Sequence, residues 1–240
     1  STPDLAIKDI ILPVSACDLS AKTPLQVLAA NLGRASIRTL SLTFTLDGGN
    51  PVTEEFGPIP MGKDTLLVFS QTMDLSPTGQ HTVEVEGKVL STPGLEERVL
   101  ENNKSEDSLI TFTPLFPPFF TDFADSSLRA GWVGNWGWSA EANGYAASVK
   151  DPEPLFSRCV HLEEGKHYRF LMNHIAGGLY YGIEIPETFC VLYGLSGTDA
   201  STWDTLWNAP RAYEPVFVSK DASFQCEADG NYSFAIHSTG

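Results

Sequence analysis

The chain has 240 residues, 42% of them hydrophobic and 19% charged, with a formal net charge of −15. That length and apolar content can bury real cores and suggest two domains, which argues against a disordered chain. Charge of this sign and size repels phosphate backbones and anionic lipid, so nucleic-acid binding and docking on a membrane by a basic face are the first function classes to fall away.

The N-terminus, STPDLAIKD, lacks the basic and long apolar regions of a signal peptide, and no later apolar run approaches the roughly 20 residues that span a bilayer. No direct membrane insertion is expected, and any targeting or anchoring segment is expected to be absent from this chain. From here the dominant pattern is period two, which predicts an all-β protein. In RTLSLTFTLDGGN, Leu40, Leu42, Phe44 and Leu46 fall on one face, and Thr39, Ser41, Thr43 and Thr45 on the other. DGGN then closes a hairpin, because glycine accepts the positive φ of such turns. Further short runs, among them DLAIKDIIL, LQVLAAN, DTLLVFSQ, QHTVEVEGKVL and EDSLITFTP, complete about seven strands, the rhythm of an immunoglobulin-like sandwich.

Four pieces of this half, PDLAIKDIIL, AANLGRASI, SPTGQHTVEVEG and LEERVLENNKSED, resemble the cell-adhesion-related bacterial domain (CARDB), an immunoglobulin-type β-sandwich. The most telling piece is Glu101-Asn102-Asn103, where asparagines can close a turn on their own backbone. The resemblance implies a spacer or attachment module over residues 1–113, with no catalytic residue. Pro114, Pro117 and Pro118 then interrupt any regular structure, and residues 114–118 are expected to be a linker, packed rather than waving because it is aromatic.

Residues 119–240 alternate as well, with Tyr168, Phe170 and Met172, then Phe189, Val191 and Tyr193, then Tyr232, Phe234 and Ile236, each on one strand face. The fragments LEEGKHYRF and EADGNYSF, in a series that begins FTDFADSSLRAGW, are similar to the cleaved-adhesin or choice-of-anchor J jelly rolls of bacterial surface proteins, relatives of MAM domains. Such jelly rolls close with a further acidic strand, so the resemblance implies a domain lacking its last strand.

The five tryptophans all lie in this half. Trp132, Trp136 and Trp138 crowd the glycine-rich GWVGNWGW, and Trp203 and Trp207 share the four-residue spacing of a short helical turn that starts at an Asp or Ser cap. Core packing is one use for each cluster, and the resemblance favours it for the first. A platform for a flat ligand such as a sugar is the other, since both clusters fall in expected loops, where binding residues concentrate.

Asp122 and Asp125 offer hard oxygen ligands, and the resemblance admits a structural Ca²⁺ near them, although two carboxylates are too few by themselves. Cys17, Cys159, Cys190 and Cys226 lack the spacing of a zinc site or disulfide framework. The last three are expected in strands as buried thiols, with one disulfide among them as the alternative. No metalloprotease, phosphate-loop or nucleophile-elbow motif occurs, the five histidines are scattered, and the pairs Glu54-Glu55 and Glu163-Glu164 are expected to be solvated turn charges. The expectation is therefore no enzyme and no cofactor beyond that ion. It is an extracellular or cell-surface protein of two sandwiches that binds a glycan or an extracellular protein, with a purely structural spacer as the alternative.

Overall fold

The computed structural model describes residues 2–90, 97, 99–120, 131–134, 136–139, 146–149, 154–176, 178–180, 183–185, 187–212 and 214–238. The chain divides into two compact units, residues 1–15 with 19–111 and residues 16–18 with 112–240. Every element in the described residues is a strand or a short 3₁₀ turn, so the class is all-β.

In the first unit, β1 (Leu5–Ile11), β2 (Thr23–Asn31) and β5 (Asp64–Met73) form a three-stranded sheet in that order. A four-stranded sheet runs β4 (Val52–Phe56), β3 (Leu40–Leu46), β6 (Gly79–Val89), β7 (Lys104–Thr111). All neighbours are antiparallel. The alternation of β3 is realised, with Leu40, Leu42 and Phe44 buried between half-exposed Ser41 and Thr43. Phe69 joins the two sheets edge-on, its ring 4.9 Å from Phe44 and 5.2 Å from Phe56. Gly87 leaves room for Leu5, since a Cβ there would lie 2.6 Å from Leu5 Cδ2.

Asn31 explains the asparagine-glycine segment. Its buried amide donates to the carbonyls of Ala35 (2.9 Å) and Ile59 (3.1 Å) and accepts from the Gly33 amide (3.1 Å). Side-chain bonds here replace the ladder that β2 has just left. Glu54 and Glu55 are not turn residues: both stand in β4, on opposite faces of it.

In the second unit, β10 (Leu155–Phe156), β18 (Gly230–Ser238), β15 (Glu187–Leu195) and β16 (Asp204–Ala212) make one sheet in that order, and β11 (Val160–Leu162) also pairs with β18. Separate pairs are β12 (His167–Ala176) with β17 (Glu214–Gln225), β13 (Gly178–Tyr180) with β14 (Ile183–Ile185), and β8 (Trp136–Ser139) with β9 (Ala146–Val149). Tyr168 and Phe170 of β12 and Phe224 of β17 pack on Val160, Leu162, Tyr232 and Phe234 of the larger sheet, giving a second sandwich core. β18 is bonded on both sides, so the final strand of this chain lies inside its sheet and not at an edge.

Cysteine usage departs from expectation. Cys159 lies in the loop between β10 and β11, not in a strand, and forms a disulfide with Cys17; of the two free thiols, Cys190 stands in β15 but is only half-buried, and Cys226 is buried just past the end of β17, outside any strand. The bridge was illegible because its two ends stand 142 residues apart and no strand pattern links them. Around it, the Phe112 amide donates to the Ala16 carbonyl (2.9 Å), the Cys17 amide to Ser196 Oγ (2.9 Å) and Asn231 Nδ2 to Asp18 Oδ2 (2.6 Å). Within the expected linker, Leu115 bonds both the Cys159 carbonyl (2.9 Å) and the His161 amide (2.8 Å), so it runs beside β11 as a bonded segment.

Candidate ligand site in the second unit

Between β15 and β16 the chain makes a tight excursion. Gly197 turns it at φ 79°, and Asp199 then caps a 3₁₀ turn over Ala200–Thr202 by accepting the Ser201 amide at 2.9 Å. These hydrogen bonds hold the Asp199 carboxyl below its ordinary range, against the small opposing effect of burial. Trp203 leaves the turn in extended conformation. Its indole N–H donates to Thr198 Oγ1 (2.8 Å), whose own hydroxyl donates to the Leu195 carbonyl (2.6 Å). The indole also lies flat on Gly194, where a Cβ would run into its five-membered ring, and meets the Phe156 ring edge-on at 5.7 Å.

Beside this half-buried indole is an open depression of about 260 Å³, lined by Tyr193, Gly194, Leu195, Thr198, Thr202, Trp203, Asp204, Glu227 and Tyr232. Tyr193 and Tyr232 stack at 6.2 Å across neighbouring strands. They are diagonal neighbours, because β15 and β18 pair Tyr193 with Phe234 and Leu195 with Tyr232. The lining carries two carboxylates and no cationic side chain. Burial, then the charges of Asp204 and Glu227, push the Tyr193 hydroxyl above its ordinary range. Burial and the bond to Cys226 push that of Tyr232 up to about 12. Both phenols are therefore neutral donors at physiological pH, and the Tyr232 donor is already used on the Ala228 carbonyl at 3.0 Å. Aromatic faces, hydroxyls and carboxylate acceptors make a surface for a neutral or cationic polyhydroxylated ligand, one that repels anions.

The expected site residues scatter. Trp203 lines the depression. Trp207 does not share its face: the 3₁₀ turn ends before Trp203, and a register shift in β16 between the pairs Val191–Trp207 and Leu192–Thr205 separates the two rings. Trp207 packs instead on Phe189 (5.0 Å) and His174 (5.4 Å), against the Phe189–Ala209 core. Trp132 is half-buried beside the bridge that Val133 makes with Phe156. Trp136 and Trp138 stand two apart on β8, and their side chains lie outside the described residues. Asp122 and Asp125 also lie outside the described residues. Tyr193, Tyr232, Asp204 and Glu227 were not singled out as site residues, since only the β15–β18 register and the loop closure bring them together. Among the described residues no three His, Cys, Asp or Glu side chains gather as a metal site, and no helix is long and apolar enough to cross a membrane.

No protein-family profile matches the chain, and no curated protein matches it by sequence. Among solved structures it is similar to a domain described as part of a cell surface protein of Methanosarcina acetivorans, at 17% identity and a TM-score of 0.38, covering 47% of this chain and 94% of that one. It is similar also to a CARDB domain of Pyrococcus furiosus, in complex with di-metal ions, at 16% identity and a TM-score of 0.33, covering 46% and 94%. A third is the N-terminal tandem of CBM22 domains from a Paenibacillus barcinonensis protein, at 10% identity and a TM-score of 0.34, covering 97% and 90%. Likenesses at these levels transfer no ligand or activity to this chain.

Proposed function

We propose that this chain is a non-catalytic extracellular protein of the adhesion or ligand-binding kind. In this reading the first unit is a CARDB-like spacer or attachment module, and the second, a jelly roll of the choice-of-anchor J kind, takes a glycan in the depression around Trp203. The observation that carries the reading is the fixed indole. Trp203 is held by its N–H on Thr198, its face on Gly194 and the edge of Phe156, yet it stays half-exposed beside Asp204, Glu227 and Thr202. A platform locked before the ligand arrives loses little entropy on binding, and the carboxylates match sugar hydroxyl donors. The Cys17–Cys159 bridge supports an oxidising compartment.

A glycan array followed by calorimetry tests the reading. Saturable binding is expected to vanish in Trp203→Ala while the variant, though less stable for the packing it loses, is still folded at the assay temperature. Trp207→Ala is expected to cost about 3 kcal/mol of stability through the core it leaves empty. The edge contact with Phe156 favours one rival, a purely structural spacer in which Trp203 only caps the sandwich. A blank array from folded chain, together with a large drop in melting temperature for Trp203→Ala, would establish that rival.

A further inference from the structure

At the start of β1 two carboxylates and two amides come together. Asn102 Nδ2 donates to Asp4 Oδ1 (2.9 Å), and Asn103 Nδ2 donates to Glu97 Oε2 (2.8 Å). The second oxygen of Glu97 accepts the amide of Leu5, so this carboxylate is held from both sides. With their nitrogens committed, the two asparagines keep their oxygens inside: Oδ1 of Asn102 and Oδ1 of Asn103 are both buried and accept no hydrogen bond, and Asn103 is only 3% exposed. Two orphaned carbonyl oxygens on successive residues are a rare and costly arrangement. Among the described residues neither Asp4 nor Glu97 forms an ion pair.

We propose that Asp4, Glu97, Asn102 and Asn103 bind a divalent cation of the calcium class. One ion resolves both anomalies, because it accepts the lone pairs of the amide oxygens and neutralises the carboxylates. A trapped water answers the first only. The donors are all oxygen, which excludes the nitrogen- and sulfur-seeking metals. Two neutral carbonyls with two carboxylates, completed by water, suit the flexible six- to eight-fold shell of Ca²⁺ better than the strict octahedron of Mg²⁺. All four residues belong to the first unit.

The test is calorimetric titration of the chelator-stripped full chain with CaCl₂, with hydrogen exchange followed by mass spectrometry. Expected are a saturable one-site heat, slower exchange across residues 99–106, and affinity at least about tenfold weaker in Asp4→Asn or, should that variant fail to fold, in Glu97→Gln. The double variant Asp122→Asn with Asp125→Asn keeps the heat. The proposal is overturned by no calcium-dependent heat or protection in the parent chain, by unchanged affinity in the folded Asp4→Asn or Glu97→Gln variant, or by loss of the signal in the Asp122/Asp125 variant.

Discussion

His81 is the residue whose setting makes stability a function of pH. It is buried at 4% exposure, with Nδ1 on Asp47 Oδ2 (2.7 Å) and Nε2 on the Pro77 carbonyl (2.8 Å). Burial alone would lower its pKa, but the bonds to Asp47 and Pro77 and the charges of Asp47 and Asp74 outweigh burial and raise it. Because both ring nitrogens face acceptors, the folded chain holds the proton more tightly than the unfolded one. The stabilisation is therefore complete below the ordinary histidine value of about 6.5 and is lost as pH rises through the higher folded value. Thermal melts of the first unit should shift downward as pH is raised above about 6.5, and His81→Gln should flatten that dependence. At Gly194 the expected effect is steric: Gly194→Ala drives a Cβ into the Trp203 indole, so it should cost about 1–3 kcal/mol and red-shift tryptophan emission.

At the scale of elements, Glu54 ties two edges. Its carboxylate accepts the Ser70 amide (2.9 Å), the Ser70 hydroxyl (2.9 Å) and the Gln71 amide (3.0 Å), so a side chain of β4, the edge of one sheet, covers donors of β5, the edge of the other. Burial is the largest single influence and raises its pKa, but the three bonds from Ser70 and Gln71 together more than offset it, leaving it lowered. Uncovered edge donors invite pairing with another chain. Glu54→Val should therefore self-associate in analytical ultracentrifugation at concentrations where the parent chain does not. Strands such as β3 were legible because alternation is local. The role of Glu54 was not, since it depends on which strands become edges, a property of topology. For the same reason the sequence identified Trp203 as a candidate but paired it with the wrong partner. Four-residue spacing predicts a shared face on a regular element, whereas here a 3₁₀ turn and a register shift intervene, and the tyrosines that do adjoin it arrive from β15 and β18.

At the scale of the molecule, the division into two sandwiches follows from hydrophobic rhythm and the proline-rich stretch, but the assignment of residues 16–18 to the second unit follows from neither. It rests on a covalent bond and three long-range hydrogen bonds. Thiol titration of the denatured, unreduced chain should find two reactive thiols, those of Cys190 and Cys226. Closing a loop across 142 residues constrains the unfolded chain by roughly 4–5 kcal/mol on the chain-entropy account. Cys17→Ser, or a reducing agent, should lower the melting transition of the second unit well beyond any effect on the first.

That bridge also sets an order of events during biosynthesis. Cys17 leaves the ribosome long before Cys159 exists, and residues 19–111, which complete the first sandwich, are translated in between. The first sandwich can complete itself while Cys17 waits as a free thiol, so maturation of the protein has a late oxidative step that depends on its C-terminal half. For the same reason a fragment cut at residue 112, the natural place to divide two β-sandwiches, would start life without three of the residues its own fold claims.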